Sequence, residues 1–158
     1  MLGEALARLQ EAIEGWRREY PRVKWERADD LHITLQFLGN VGPEQLPGLV
    51  AALGEIRVPR FSVNVTGFRR KGVLWAEVER NADLERLAEE VMGRSGVPRE
   101  TRPYRPHVTV ARPKEDVETP REGGTWGRCP VEGFHLYATS SAIAAVSRPR
   151  YRVVHRFD

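Results

Sequence analysis

The sequence is poor in cysteine and has no long apolar run. Its 158 residues include one cysteine, Cys129, so no disulfide can form within the chain. No apolar stretch approaches the ~20 residues that a membrane-spanning helix needs. The first residues, Met-Leu-Gly-Glu, lack the basic start and apolar stretch of a secretion signal. We therefore expect a cytoplasmic protein without a membrane partner.

The chain carries a small excess of positive charge. The formal net charge is +3 and the sequence pI is about 9.3, which favours anionic partners. Basic residues concentrate in three places, at 69–71, between 99 and 112, and between 148 and 152. Basic side chains on loops and strand edges also keep proteins monodisperse, so charge alone does not distinguish a nucleic-acid site from a solvated surface.

Length and periodicity predict one compact domain over residues 1–158, because no linker or break in composition divides the chain. Apolar spacings of three and four predict helices, and alternation predicts strands. The predicted helices cover 2–20, 43–56 and 83–92, and the predicted strands cover 23–26, 31–38, 61–65, 73–78, 107–111, 134–139 and 151–157. We expect a turn at 69–72 and assign no structure to 113–130. The order of elements indicates an α+β fold with mostly antiparallel sheet.

One short pattern occurs twice, 75 positions apart (107 − 32). Residues 31–35 read Leu-His-Ile-Thr-Leu, and residues 106–110 read Pro-His-Val-Thr-Val. On a strand, side chains two positions apart point to the same face. Each copy therefore presents one imidazole and one hydroxyl on one face and aliphatic side chains on the other. If the two strands lie close together, these four groups converge: His32, Thr34, His107 and Thr109.

Two imidazoles and two hydroxyls suit the hydrolysis of a cyclic phosphodiester. With an unperturbed pKa of ~6.5, one histidine can accept a proton from water while the other donates one to the leaving oxygen. The hydroxyls can donate hydrogen bonds to non-bridging oxygens. Arg112, three positions beyond Thr109, is a candidate for a bidentate grip on phosphate. With this positive charge present, the reaction requires no metal and no cofactor.

Other histidines and acids in the chain have simpler, non-catalytic explanations. His135 and His155 lack a threonine two positions on, so each is read as an ordinary polar residue. Zinc takes three or four ligands from Cys, His, Asp and Glu, and neither copy supplies a third. Asp29 and Asp30 are interpreted as acids of an exposed turn.

At these motifs the chain resembles the two-histidine phosphoesterases, above all the RNA 2′,3′-cyclic phosphodiesterases, also called 2′–5′ RNA ligases. Residues 32–39 read His-Ile-Thr-Leu-Gln-Phe-Leu-Gly, and residues 105–112 read Arg-Pro-His-Val-Thr-Val-Ala-Arg. The Phe-Leu-Gly after the first motif and the arginine before the second Pro-His are typical of this branch. The resemblance extends to residues 134–137 and to the closing strand at 151–157.

The resemblance implies a bilobed fold in which two pseudo-symmetric, mostly antiparallel sheets with flanking helices surround a central groove. It implies that one histidine is the general acid and the other the general base, leaving a 2′-phosphate. We favour His32 as the acid and His107 as the base, and the reverse assignment stays open. Thr34 and Thr109 would bind phosphate oxygens. Arg112 would match the family's arginine after the second motif, and Phe37 its base-stacking aromatic. A strand phenylalanine is more often a core residue, which is the alternative for Phe37.

One departure concerns the start of the chain. Family members usually begin with a strand of the type Arg-x-Phe-Ile-Ala, whereas this sequence opens in a helix. Without that strand, we expect an unpaired sheet edge and exposed apolar surface.

Three functions stay open at this point. The first is an RNA-end phosphodiesterase that acts as a monomer on ends such as those of tRNA fragments. The second is an enzyme that acts on another small cyclic phosphate, such as a cyclic nucleotide or ADP-ribose cyclic phosphate, or a 2′–5′ ligase. The third is a protein that binds RNA ends without catalysis, although binding alone would not require two proton-transfer groups.

Overall fold

The computed structural model describes residues 3–120, 125–139 and 151–158. Helix α1 (Glu4–Glu19) buries Ala5, Leu9 and Ile13, and Leu9 and Ile13 belong to the apolar stripe that the periodicity predicted. Its first turn carries Glu4 and its last turn carries arginines, which suits the helix dipole. The helix ends just before Pro21, as predicted.

The other two predicted helices are also present. Helix α2 (Leu46–Gly54) begins three residues after the predicted Pro43, with Pro47 in its first turn, where a proline costs no hydrogen bond. Helix α3 (Ala82–Arg94) is capped by Asn81, whose side-chain oxygen accepts a hydrogen bond of 3.0 Å from the Leu84 amide. None of the helices in the described ranges is long and apolar enough to cross a membrane.

Four antiparallel strands form the larger sheet, in the order β3-β2-β1-β4. They are β1 (Phe61–Lys71), β2 (Val73–Val78), β3 (His107–Ala111) and β4 (Thr125–Val131). The strand predicted at 61–65 is too short, because β1 continues through Gly67 to Lys71. The strand absorbs Gly67, at φ +56°, within an irregular stretch of its pairing with β2, and turns only at Gly72, at φ +74°. The predicted turn at 69–72 is therefore mostly strand.

Strand β4 lies almost entirely within 113–130, where the sequence pattern predicts neither helix nor strand. Among the described strands it pairs only with β1 and stands at the end of the strand order, where Pro130 is tolerated. Gly127, at φ +113°, coincides with a shift in register. Glycine and proline within this strand interrupt the apolar–polar alternation from which a strand is predicted.

The smaller sheet pairs β5 (Phe134–Thr139) with β6 (Tyr151–Phe157), as predicted. The predicted strands 23–26 and 31–38 are not strands in the structure. Each is an extended segment with one antiparallel bridge, Trp25 to Ala111 and Ile33 to Val108. The alternating pattern specifies extended backbone and its two faces, but a strand also needs a continuous ladder of hydrogen bonds.

Two apolar cores make the fold bilobed. In the first, α1 packs on one face of the larger sheet, against fully buried side chains that include Val65, Leu74 and Val108. In the second, α2 and α3 pack against the smaller sheet, where the rings of Phe134 and Phe157 stack 4.6 Å apart. Leu35 packs against both cores. The first motif segment, residues 31–38, therefore runs between the two lobes.

Candidate active site

The second motif lies on β3, whose two faces differ. Val108 and Val110 are almost completely buried toward α1, whereas His107 and Thr109 are half-buried on the opposite face. This alternation is the one that the sequence predicted. It leaves an imidazole and a hydroxyl side by side above the apolar core.

A single bridge brings the first motif beside the second. Ile33 and Val108 are antiparallel partners, so counting outward places His32 opposite Thr109 and Thr34 opposite His107. Residues directly opposite on antiparallel segments share a face, with Cβ atoms ~5 Å apart, and diagonal neighbours lie ~7–8 Å apart. The two histidines occupy one diagonal of this arrangement and the two threonines the other. These four side chains are called the motif cluster below.

Both imidazoles are held in the same way. The Nδ1–H of His32 donates to the carbonyl oxygen of Asp30 at 2.6 Å, and that of His107 donates to the carbonyl oxygen of Arg105 at 3.0 Å. A carbonyl only accepts, so Nδ1 carries the hydrogen in each ring. In the neutral tautomer Nε2 then carries the lone pair. Nε2 is therefore the nitrogen that can take up a proton, or give one from the imidazolium form.

Each histidine ring also has an aromatic neighbour. The indole of Trp75 lies 4.8 Å from the ring of His107, centroid to centroid, and the ring of Tyr137 lies 6.0 Å from that of His32. Trp75 pairs with Thr109 in the β2–β3 register, which places it on the face of the motif cluster. The sequence pattern did not single out either aromatic. For Trp75, the alternation of residues on β2 is the one sequence feature that places its side chain on this face.

The first motif segment is fixed by side chains from the second half of the chain. The hydroxyl of Tyr104 donates to the carbonyl oxygen of Thr34 at 2.9 Å, and burial raises the pKa of Tyr104 well above its usual range. Ser95, just after α3, donates to the side chain of Gln36 at 2.8 Å. The loop that leads into the second motif and the end of α3 thus hold the first motif in place.

Arg112 lies at the end of β3, in an ion pair. Its Nε donates to the carboxylate of Glu26 at 3.1 Å, and its amide donates to the carbonyl of Lys24 at 3.3 Å. The β2–β3 register shifts between Thr109 and Ala111, and Val110 and Ala111 are both fully buried, so simple strand alternation does not determine the face of Arg112.

Phe37 is 68% exposed, so it is not a core residue. It lines a cavity of about 700 Å³ that runs along the first motif segment and includes His32 and Thr34. The smaller sheet forms another wall of this cavity, through residues that include Leu136 and Tyr137. The regular alternation of a strand would have turned Phe37 away from His32, but the segment leaves that pattern here.

His135 also lines this cavity, although it was interpreted as an ordinary polar residue. Its ring lies 5.6 Å from that of Tyr137. Partial burial and the nearby charge of Arg156 lower the pKa of His135 below its usual value, so the neutral ring is favoured. Across the described ranges, His, Cys, Asp and Glu side chains form no group of three or more that could hold a metal ion.

Comparison with known proteins agrees with this geometry. A family model described as LigT like Phosphoesterase matches residues 3–75, which contain the first motif. The RNA 2′,3′-cyclic phosphodiesterase of Escherichia coli strain K12 is 32% identical to the chain, over 96% of the chain and 90% of that protein. The corresponding protein of Bacillus subtilis strain 168 is 40% identical, over 85% of the chain and 80% of that protein.

The fold agrees as well. A crystal structure of Escherichia coli LigT complexed with 3′-AMP has a TM-score of 0.76 and 33% identity, over 96% of this chain and 91% of that one. The chain therefore belongs to the LigT-like phosphoesterases. Within that class its curated relatives carry the name RNA 2′,3′-cyclic phosphodiesterase, and the family resemblance and fold class predicted from the motifs are confirmed.

Proposed function

We propose that this protein hydrolyses 2′,3′-cyclic phosphates at RNA ends to 2′-phosphates, by metal-independent acid–base catalysis with His32 and His107. The observation that carries the proposal is the Ile33–Val108 bridge, whose register sets both histidines and both threonines on one face. The names of the curated relatives support the same reaction and substrate.

The proposed reaction balances with one water molecule. The neutral Nε2 of His107 takes a proton from water while the water oxygen forms a bond to phosphorus. The bond between phosphorus and O3′ breaks, and the imidazolium of His32 gives its Nε2 proton to O3′. The products are a free 3′-hydroxyl and a 2′-phosphate monoester. Proton exchange with solvent then restores the starting state of both rings.

The threonines stabilise the charge that develops on phosphate. Thr34 and Thr109 occupy the second diagonal of the motif cluster, so their hydroxyls flank the phosphorus held between the histidines. Donors fixed before the reaction cost no reorganisation when charge develops. Phe37, exposed on the wall of the neighbouring cavity, would stack on the terminal base. Arg112, held in its ion pair with Glu26, would add a guanidinium at the end of β3.

The setting that we propose is the cytoplasm, with RNA ends such as those of tRNA fragments as substrates and the monomer as the active form. The lone Cys129 is half-buried, and burial raises the pKa of its thiol, so this side chain stays an inert thiol in a reducing compartment.

The central test is hydrolysis of a short RNA ending in a 2′,3′-cyclic phosphate, in the presence of EDTA. We expect the wild type to produce a 2′-phosphate end, and His32→Ala and His107→Ala each to lose at least ~100-fold in kcat. The matched control is His155→Ala, because His155 is an exposed histidine of β6 outside the cavity. A folded wild type that leaves this RNA intact would refute the proposal.

A second substrate separates the two roles. When sulfur replaces O3′, the leaving group is a thiolate, which departs without protonation far more readily than an alkoxide. The general-acid variant should then recover most of its loss, and the general-base variant should not. Recovery by His32→Ala supports the roles proposed here, and recovery by His107→Ala reverses them.

A further inference from the structure

The face that carries the motif cluster continues across the larger sheet. In the β2–β3 register, Glu77 lies opposite His107 and Trp75 lies opposite Thr109. On the other side of β2, Trp75 lies opposite Arg69 of β1. Facing residues of antiparallel strands share a face, so Arg69, Trp75 and Glu77 extend the surface that begins at His107.

Two arginines converge on one carboxylate in this extension. Arg69 Nε lies 2.6 Å from an oxygen of Glu77, and Arg105 Nη2 lies 3.2 Å from the same oxygen. Both arginine side chains are 57% exposed, and that of Glu77 is 32% exposed. Two guanidinium groups and one carboxylate leave a net charge of +1, open to solvent and next to His107.

Arg105 is placed by more than this ion pair. Its guanidinium carbon lies 5.8 Å from the ring centre of Trp75, whose indole contacts the ring of His107. Cation–π contact and the shared carboxylate together restrict a side chain that would otherwise be mobile. Each guanidinium has five N–H donors, so the two arginines together have ten, and the bonds to Glu77 use fewer than half of them. The remaining donors can bind an anion without breaking the ion pair.

We propose that Arg69 and Arg105, held by Glu77, bind the phosphate that precedes the cyclic end of an RNA chain. This inference rests on the proposed function and narrows its substrate to oligonucleotides over mononucleotides. Adjacent strands lie ~4.8 Å apart, so Arg69 on β1 is two strand spacings from His107 on β3. Arg105 lies two residues before His107 in the chain, ~6.6 Å along an extended segment. A separation of ~5–10 Å matches the step from one nucleotide to the next. Arginine suits the subsite because its planar fork binds phosphate oxygens in pairs.

The test compares two substrates that share the same reacting end. One is cytidine 2′,3′-cyclic phosphate, which lacks the preceding phosphate, and the other is a tetranucleotide ending in that nucleotide. The variant of choice is Arg69→Gln, because Arg69 is on β1 and its backbone does not hold His107. The matched control is Arg8→Gln. Arg8 is 54% exposed and ion-paired to Glu4 at 2.7 Å, on the helix that covers the opposite face of the sheet.

We expect Arg69→Gln to lower kcat/KM for the tetranucleotide about tenfold more than for the mononucleotide, mainly through KM. The slope of log(kcat/KM) against log salt concentration should become shallower by ~0.7, the value for one lost phosphate contact on a single strand. Equal losses on both substrates, or the same selective loss in Arg8→Gln, would overturn the subsite.

A binding measurement tests the phosphate subsite independently of whether the protein catalyses the proposed reaction. The probe is the same tetranucleotide with a 3′-phosphate end, compared with cytidine 3′-phosphate. Weaker binding of the tetranucleotide alone by Arg69→Gln supports the subsite even if the wild type turns over neither cyclic substrate, an outcome that would refute only the proposed function. Unchanged tetranucleotide binding would refute the subsite, whatever the turnover.

Discussion

Ile33 and Val108 are antiparallel partners, so the two His-x-Thr motifs pass each other in opposite directions. Each histidine therefore faces the threonine of the other motif rather than its own. Under the proposed function, the reacting phosphate contacts groups from both halves of the chain at once.

The threonine hydroxyls can be tested by substitutions that preserve shape. Thr34→Val and Thr109→Val each remove one hydroxyl, and a hydrogen bond to a charged group contributes about 1.5–3 kcal/mol. We expect kcat/KM to fall by ~10–100-fold in each variant, with the larger part in kcat because the charge develops in the transition state. Thr→Ser at the same positions should retain most of the activity. The control is Thr101→Val, on an exposed loop residue.

The rate should depend on pH in a bell shape. Catalysis requires one neutral imidazole and one imidazolium, so activity falls at low pH, where the base is protonated, and at high pH, where the acid has lost its proton. Steady-state kcat/KM for the cyclic RNA end, measured from about pH 5 to 9 in EDTA, gives the profile. A flat profile, or activity that EDTA abolishes and zinc restores, would contradict the two-histidine mechanism.

Tyr104 links the two motif segments through its bond to the carbonyl of Thr34. Tyr104→Phe leaves that carbonyl without this donor, and we expect the free energy of unfolding in urea to fall by about 1 kcal/mol. The kcat should also fall, because Thr34 and His32 lose an anchor. The raised pKa of Tyr104 keeps its hydroxyl protonated, so the wild type should lose no activity from this bond up to pH 10. Tyr20→Phe is the control, at a half-buried tyrosine near the end of α1.

The exposed ring of Phe37 offers a test of base binding. Stacking of a base on an aromatic ring contributes about 1–3 kcal/mol, so Phe37→Ala should raise KM by ~5–100-fold. The kcat should change little, because Phe37 is outside the motif cluster. Phe37→Trp should restore binding, since it offers a larger stacking surface. A drop in thermal stability comparable to the loss of binding would identify Phe37 as a structural residue instead.

Local patterns predicted the parts of the fold that local chemistry determines. The apolar stripe of α1 and the alternation of β3 arise from neighbours in sequence, and the structure has both. The repeated His-x-Thr pattern predicted which side chains share a face, because side-chain parity on extended backbone does not depend on the partner strand.

The missing parts depend on which segments meet in space. Residues 31–38 were predicted as a strand, but a single bridge joins them to β3, and no local pattern reports the lack of a ladder. The pairing of Arg112 with Glu26 joins residues 86 positions apart. The contacts of Trp75 and Tyr137 with the two histidines could not be predicted for the same reason, since each aromatic residue is distant in sequence from the histidine that it contacts.

The antiparallel bridge also defines a local dyad that relates one motif to the other. About that axis His32 and His107 are interchangeable, down to the carbonyl two residues before each that fixes the ring. In the part of the chain that the structure describes, the aromatic neighbours of the two rings break this symmetry, with Trp75 beside His107 and Tyr137 beside His32. Microscopic reversibility requires that the same two histidines exchange roles when the bond to O3′ is re-formed. The direction of the net reaction is then set by the concentrations of water and of RNA ends, not by the catalytic groups.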